Sequence, residues 1–158
     1  MLLTIETAKQ IAIENAKKIQ DPQVREFTLI HSEKVGLIAN LIGKKLGLKT
    51  DLFLIAGRVH DIGYSVDFDN HALLGVQMLQ VAGYEVDELL KDCILNHGTH
   101  GNPKYYEGKI FQIADKLSIF DFDVVQVLLK YNDFPLKGEP IEFLKKMSNN
   151  ALELIKKF

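Results

Sequence analysis

The sequence is poor in several features that commonly disclose a function. Of its 158 residues, one is cysteine (Cys93) and none is tryptophan. A single cysteine excludes an internal disulfide framework and a cysteine-rich zinc module, and it suits a reducing compartment. Neither sign of charge is in excess, with 19 Lys+Arg against 21 Asp+Glu and a formal net charge of −2. That balance provides no electrostatic footprint for nucleic acid or an anionic membrane. No apolar run approaches the roughly 18–20 residues of a membrane span. The opening MLLTIETAK has neither the charged start nor the apolar stretch of a signal peptide. The expectation is one cytoplasmic domain over residues 1–158, with no nucleic-acid or membrane partner. What the chain does contain is an ordinary globular composition, 47% hydrophobic and 25% charged, and five histidines.

Helical periodicity runs from end to end. Ile5, Ala8, Ala12, Ala16 and Ile19 recur at three- and four-residue spacing behind Thr4, a good N-cap. Asp21-Pro22 announces a second helix from about Val24 to Leu46, with Gly47 as its C-cap. A short helix is expected over Leu52–Ile62, opened by Asp51 and closed by Gly63. Further helices are expected over His71–Ala82 (ended by Gly83), Val86–Asn96 and Lys109–Phe120. Val124–Tyr131 is β-branched enough for a strand, but its Leu128/Leu129 pair and helical neighbours favour helix. A loop with Pro135, Gly138 and Pro140 precedes an amphipathic helix over Ile141–Phe158. The pattern predicts an all-α, single globular multi-helix bundle of seven or eight helices.

Polar residues interrupt the apolar stripes. His31 lies four residues after Phe27 and four before Val35, which puts it on the buried side of its helix. His60 follows Ile55, Ala56 and Val59, with Asp61 beside it. Asp115 lies between Phe111 and Ile119 in KIFQIADKLSIF, where an uncompensated carboxylate would cost several kcal/mol. His71 and His97 stand at helix ends. Each has a plain structural role open to it: a satisfied core histidine, a cap, or, for Asp115, a pairing with Arg58 or a lysine. Together they form a ligand set for Fe, Mn, Zn, Co or Ni. His31, His60, Asp61 and Asp115 can hold one divalent ion. His71 and His97 can hold a second, with Asp61 bridging because a carboxylate has two oxygens. Two ions about 3.5–4 Å apart activate water at neutral pH and clamp a phosphoryl group.

The run LIAGRVHDIGYSVDFDNHALLGVQML, followed by ILNHGTHG and KIFQIADKLSIF, resembles the HD-domain metal-dependent phosphohydrolase superfamily in its short, dinuclear HDIG branch. The likeness covers about Val24 to Phe120, the motif core, with residues 121–158 as C-terminal helices packed on it. It implies an all-helical fold, with His31 as the first motif histidine, His60-Asp61 as the HD pair and Asp115 as the final aspartate. It also implies that His71 and His97 are the two extra histidines of dinuclear members. The chain departs from the family at Tyr64, where many HDIG proteins have a lysine that bears on substrate phosphate. It also lacks the insertion and GYP element of the cyclic-di-GMP phosphodiesterases. Short members similar to it include symmetrical dinucleoside-tetraphosphate hydrolases and other nucleotide phosphohydrolases.

Outside the six ligands, His100 can protonate a leaving group or touch phosphate. Lys116, Arg58 and Lys104 can offset phosphate charge, although a solvated surface position is the ordinary role for each. Asp67 and Asp69 suit a turn or an outer hydrogen-bonding position, and Cys93 suits a buried structural thiol. The expected function is metal-dependent hydrolysis of a nucleotide or other small phosphorylated metabolite through an activated hydroxide, with Asp61 central. A di-iron oxygenase of the same superfamily and a non-catalytic nucleotide-binding or interaction module are the rivals.

Overall fold

A computed structural model describes residues 1–130 and 140–157. Its described residues form eight α-helices and no strand: α1 (Ile5–Ala16), α2 (Pro22–Lys45), α3 (Asp51–Val59), α4 (His71–Val81), α5 (Glu88–Asn96), α6 (Tyr106–Ser118), α7 (Phe122–Lys130) and α8 (Pro140–Lys156). The fold is all-α, as expected. No helix among the described residues is long and apolar enough to cross a membrane.

The helix starts follow local chemistry. Thr4 caps α1 and exchanges hydrogen bonds with Thr7 in a capping box. The Asp21 carboxylate accepts from the backbone N–H groups of Gln23 and Val24, with Pro22 in the first turn of α2. Asp87 caps α5 through the N–H of Leu90, so that helix begins two residues later than its apolar pattern suggests. Gly47 and Gly83 end α2 and α4 in the left-handed conformation, with φ of +73° and +81°. The β-branched segment after Asp121 is helix α7, since Val124, Val127 and Leu128 bury one helical stripe. The expected loop residues Pro135 and Gly138 lie outside the described residues.

One expectation is corrected. The third helix does not run to Ile62 with Gly63 as its cap. It stops at Val59, and a 3₁₀ turn occupies Ile62–Ser65. Gly63 is there for close approach: a Cβ on it would lie 2.0 Å from the backbone oxygen of His71. Periodicity cannot distinguish a capping glycine from one on which another chain segment rests.

A main core centred on Phe53, Phe111, Val35, Ile94 and Leu79 joins α1 to α6. A smaller cluster of Ile119, Val124 and Leu128 gathers Phe27 and Ile30 of α2 with Phe143, Leu144 and Met147 of α8. Helices α2 and α3 cross in close backbone contact. A Cβ on Gly57 would fall 2.4 Å from the Cα of Gly36, so only glycine permits this approach. That crossing brings His31 of α2 to His60 at the end of α3, with ring centroids 5.4 Å apart.

Candidate metal centre

Six of the sequence-predicted residues converge between the two clusters. His31 Nε2 lies 3.0 Å from Asp115 Oδ1 and 3.7 Å from Asp61 Oδ2. His60 Nε2 lies 3.2 Å from Asp61 Oδ2 and 3.6 Å from Asp115 Oδ1. The other Asp61 oxygen, Oδ1, is 3.4 Å from His71 Nε2 and 3.5 Å from His97 Nε2, and those two nitrogens are 3.1 Å apart. One oxygen of Asp61 thus faces the His31/His60/Asp115 group, and the other faces the His71/His97 pair.

Each histidine is aimed by its other nitrogen. Nδ1 of His60 donates to the Gly57 carbonyl at 2.9 Å, that of His71 to Phe68 at 2.6 Å, and that of His97 to Ile94 at 2.6 Å. A carbonyl can only accept, so in the neutral ring the proton stays on Nδ1 and the Nε2 lone pair points into the site. His31 reaches the same state through Ser118. The Ser118 hydroxyl donates to the Asp115 carbonyl at 2.7 Å, leaving its oxygen to accept from His31 Nδ1 at 2.9 Å. All three carbonyl contacts span three residues, so for His60 and His97 the end of a helix is itself the orienting device.

Burial makes these groups consequential. His60 is fully buried, and Asp61, His31, His97 and Asp115 are all nearly so. His60 Nε2 and Asp61 Oδ1 are buried without any hydrogen-bond partner. Such orphaned atoms are costly in an apolar interior. Here one is an imidazole nitrogen and the other a carboxylate oxygen, both atom types that can bind a metal. Lys116 is the sole cation among the described residues lining the adjoining cavity, and its ammonium pairs with Asp115 Oδ2. Two buried carboxylates, Asp61 and Asp115, thus share the site with one ammonium and the His60 ring. The donor set, its two orphaned atoms and the inward direction of the ring nitrogens fit divalent ions of the Fe, Mn, Zn, Co or Ni type.

Ionisation follows the same geometry. Burial alone would lower the pKa of His60, but the Asp61 and Asp115 carboxylates reverse this and raise it to about 10. His97 is lowered to about 4 by burial and by the neighbouring His60 charge. Burial opposes ionisation of both aspartates, yet His60 holds Asp61 below the usual carboxylate range, and Lys116 and His31 do the same for Asp115. Burial, and then the two carboxylates, push the Tyr64 phenol above its ordinary value, so its hydroxyl remains protonated.

The cavity above the ligands has a volume of about 240 Å³ and includes Lys116 in its wall. The remaining candidates lie away from that lining. Arg58 makes a 2.6 Å ion pair with Glu33. Lys104 is exposed, and its backbone N–H donates to Asp92. His100 is exposed beside a separate depression with Asn102 and Lys109. Cys93 is buried and free, and burial raises its thiol pKa, as suits a structural role. Asp67 accepts from the N–H of Asn70 in the turn before α4.

Sequence reasoning missed Ser118, although a polar residue three positions after Asp115 on a buried face was a readable signal. It also missed Tyr64 as an aromatic wall: this ring lies 4.9 Å from Phe68 and 4.1 Å from His71, centroid to centroid. Phe143 and Met147 line the cavity from α8, and nothing local in their sequence announces that.

Comparison with known proteins adds the following. The HD domain profile matches residues 28–119. Ribonuclease Y of Fervidobacterium nodosum is 36% identical over 93 residues, covering 57% of this chain and 18% of that protein. Ribonuclease Y of Mycoplasma mycoides subsp. mycoides SC is 31% identical over 93 residues, with the same coverage. A deoxyguanosinetriphosphate triphosphohydrolase-like protein of Caldanaerobacter subterraneus subsp. tengcongensis is 29% identical over 130 residues, covering 68% of this chain and 38% of that protein. The chain therefore spans well under half the length of these relatives. No solved structure matches.

Proposed function

The chain belongs to the HD-domain family, and from that membership we propose that it is a metal-dependent phosphohydrolase acting on a nucleotide or another small phosphorylated metabolite. The observation that carries this reading is the pair of buried ligand groups sharing Asp61, with all four imidazole lone pairs turned inward. His31, His60, Asp61 and Asp115 would hold one divalent ion, and Asp61, His71 and His97 the other. Ions bound there supply an activated water at neutral pH and neutralise charge on phosphoryl oxygens.

The chain's own residues have separable tasks. Asp61 links the two ligand groups through its two oxygens. Ser118 and the Gly57, Phe68 and Ile94 carbonyls hold the rings in register, as outer hydrogen bonds do in metal sites. Lys116 holds one Asp115 oxygen and reaches the cavity, where its ammonium can meet a substrate phosphate. The cavity is smaller than the roughly 300–1,000 Å³ of drug-sized ligand pockets, which suits a phosphoryl group with a modest body. The absence of a basic excess favours a small molecule over nucleic acid, although two of the relatives are named ribonucleases.

Protein purified without chelator should contain Fe, Mn, Zn, Co or Ni and release phosphate from a panel of small esters and anhydrides. Asp61→Ala should abolish turnover and deplete both metal positions. A metal-free, inert protein that stays inert after reconstitution would overturn the proposal. So would iron-dependent oxygen uptake without phosphate release, the mark of the oxygenase alternative.

A further inference from the structure

The ligands and Lys116 all fall within residues 28–119, but much of the cavity wall does not. Val24 and Phe27 precede the matched segment, while Phe143 and Met147 follow it on α8. With Ile119 they form an apolar wall beside the His31 ligand group. The wall is built into the fold: Phe27, Phe143 and Met147 pack on the cluster of Ile119, Val124 and Leu128 that docks α8 against α2 and α7. Phe27 joins this wall to the ligand group, since it stacks on His31 with ring centroids 5.0 Å apart and planes 9° from parallel.

Charge in the cavity is as telling as shape. Among the described residues Lys116 is the sole cation in the lining, and it already pairs with Asp115. Arg58 is committed to Glu33, and Lys104 is outside the lining. A polyphosphate chain carries several charges beyond the scissile group, and among the described residues no further basic side chain lines the cavity to meet them. An uncharged ring, in contrast, meets aromatic faces and a thioether, partners that reward planar apolar groups.

We infer that the substrate is a phosphate monoester whose non-phosphate part is an uncharged planar ring, seated on the wall of Phe27, Ile119, Phe143 and Met147. This rests on the phosphohydrolase reading for the phosphate end, and it assigns selection of the other end to α8, outside the family segment. The selecting step is binding only, so no additional bond change is involved.

The test uses phenethyl phosphate, n-butyl phosphate and glycerol 1-phosphate, all esters of primary alcohols with similar leaving groups, and a nucleoside triphosphate. A parallel titration measures binding of phenethylphosphonate and ethylphosphonate, which cannot be hydrolysed, to the metal-loaded protein. Phenethylphosphonate should bind at least about tenfold more tightly than ethylphosphonate, the scale of burying one ring. KM should be lowest for phenethyl phosphate and highest for the triphosphate. Phe143→Ala combined with Met147→Ala should erase the phenethyl preference while leaving KM for glycerol 1-phosphate within about twofold. Circular dichroism and metal content of that variant show whether it is folded, and Met147→Ala alone provides a milder version. Equal phosphonate affinities, a butyl or triphosphate preference, or a preference untouched by either variant would overturn the inference. A ring preference in binding with no hydrolysis of any ester would retain the ring seat on this wall and overturn the phosphohydrolase reading instead.

Discussion

Gly63→Ala offers a stringent check on how the turn after His60-Asp61 assembles the centre, because it removes no ligand and no hydrogen bond. The added Cβ would lie 2.0 Å from the His71 carbonyl oxygen and 2.7 Å from its carbonyl carbon and Cα, where real Cβ contacts essentially never come under 3.0 Å. All three obstructing atoms are backbone, so no side chain can rotate away. The start of α4 must retreat by about 1 Å, against a tolerance of roughly 0.2 Å in a metal–ligand distance. His71 rides on that segment, so its 3.4 Å approach to Asp61 and 3.1 Å approach to His97 should open. The His31 group is carried by α2, α3 and α6 and by the Gly36–Gly57 crossing, and it should survive. Overpacking costs about 1–3 kcal/mol. At about 2–4 °C per kcal/mol for a chain of this size, Tm should fall by about 2–12 °C. Metal analysis of the folded variant should find one ion held normally and the second lost or weakened at least about tenfold. A variant holding two ions at parental affinity with unchanged Tm would refute the argument that this glycine sets the position of His71.

Two further outcomes follow from the same geometry. Ser118→Ala leaves the buried His31 Nδ1–H without its acceptor, and should weaken metal at the His31 group by about 10–100-fold, read by calorimetric titration, with the His71/His97 pair little affected. In the metal-free protein, burial works against the charged His60 ring but Asp61 and Asp115 raise its pKa to about 10, so its protonated form stabilises the fold below about pH 6.5 and that contribution fades as pH rises toward 10. Metal needs the neutral ring, so loading at pH 7–8 should release at least the proton held by His60, and affinity should rise at least about tenfold per pH unit over that range. His97, lowered to about 4 by burial and by His60, is already neutral there and should release none. Calorimetry in buffers of different ionisation enthalpy measures the proton count, and a pH-independent affinity would contradict the assignment of His60.

The fold was legible where local rules suffice. The capping signals at Thr4, Asp21, Gly47 and Gly83 and the apolar spacing of each helix reported the elements to within a few residues. The third helix is shorter than its pattern predicts because Gly63 answers to a contact with His71, eight residues away, and not to its own helix. Arg58, Lys104 and His100 drew attention by their chemistry, yet a side chain's type does not report its direction, and all three lie away from the cavity lining.

By itself the sequence determined which groups can be ligands. A histidine or aspartate on an apolar stripe must find compensation, and its order and spacing identify the company it keeps. Only the tertiary structure decided how they meet. The Gly36–Gly57 approach joins His31 to His60, and the two Asp61 oxygens divide the other candidate ligands into two groups. Backbone carbonyls choose the tautomer of three rings, and α8 returns to wall the cavity with Phe143 and Met147. The physical reason is range: periodicity and capping act within one or two turns, whereas a ligand field and a pocket wall depend on distances between segments far apart in the chain.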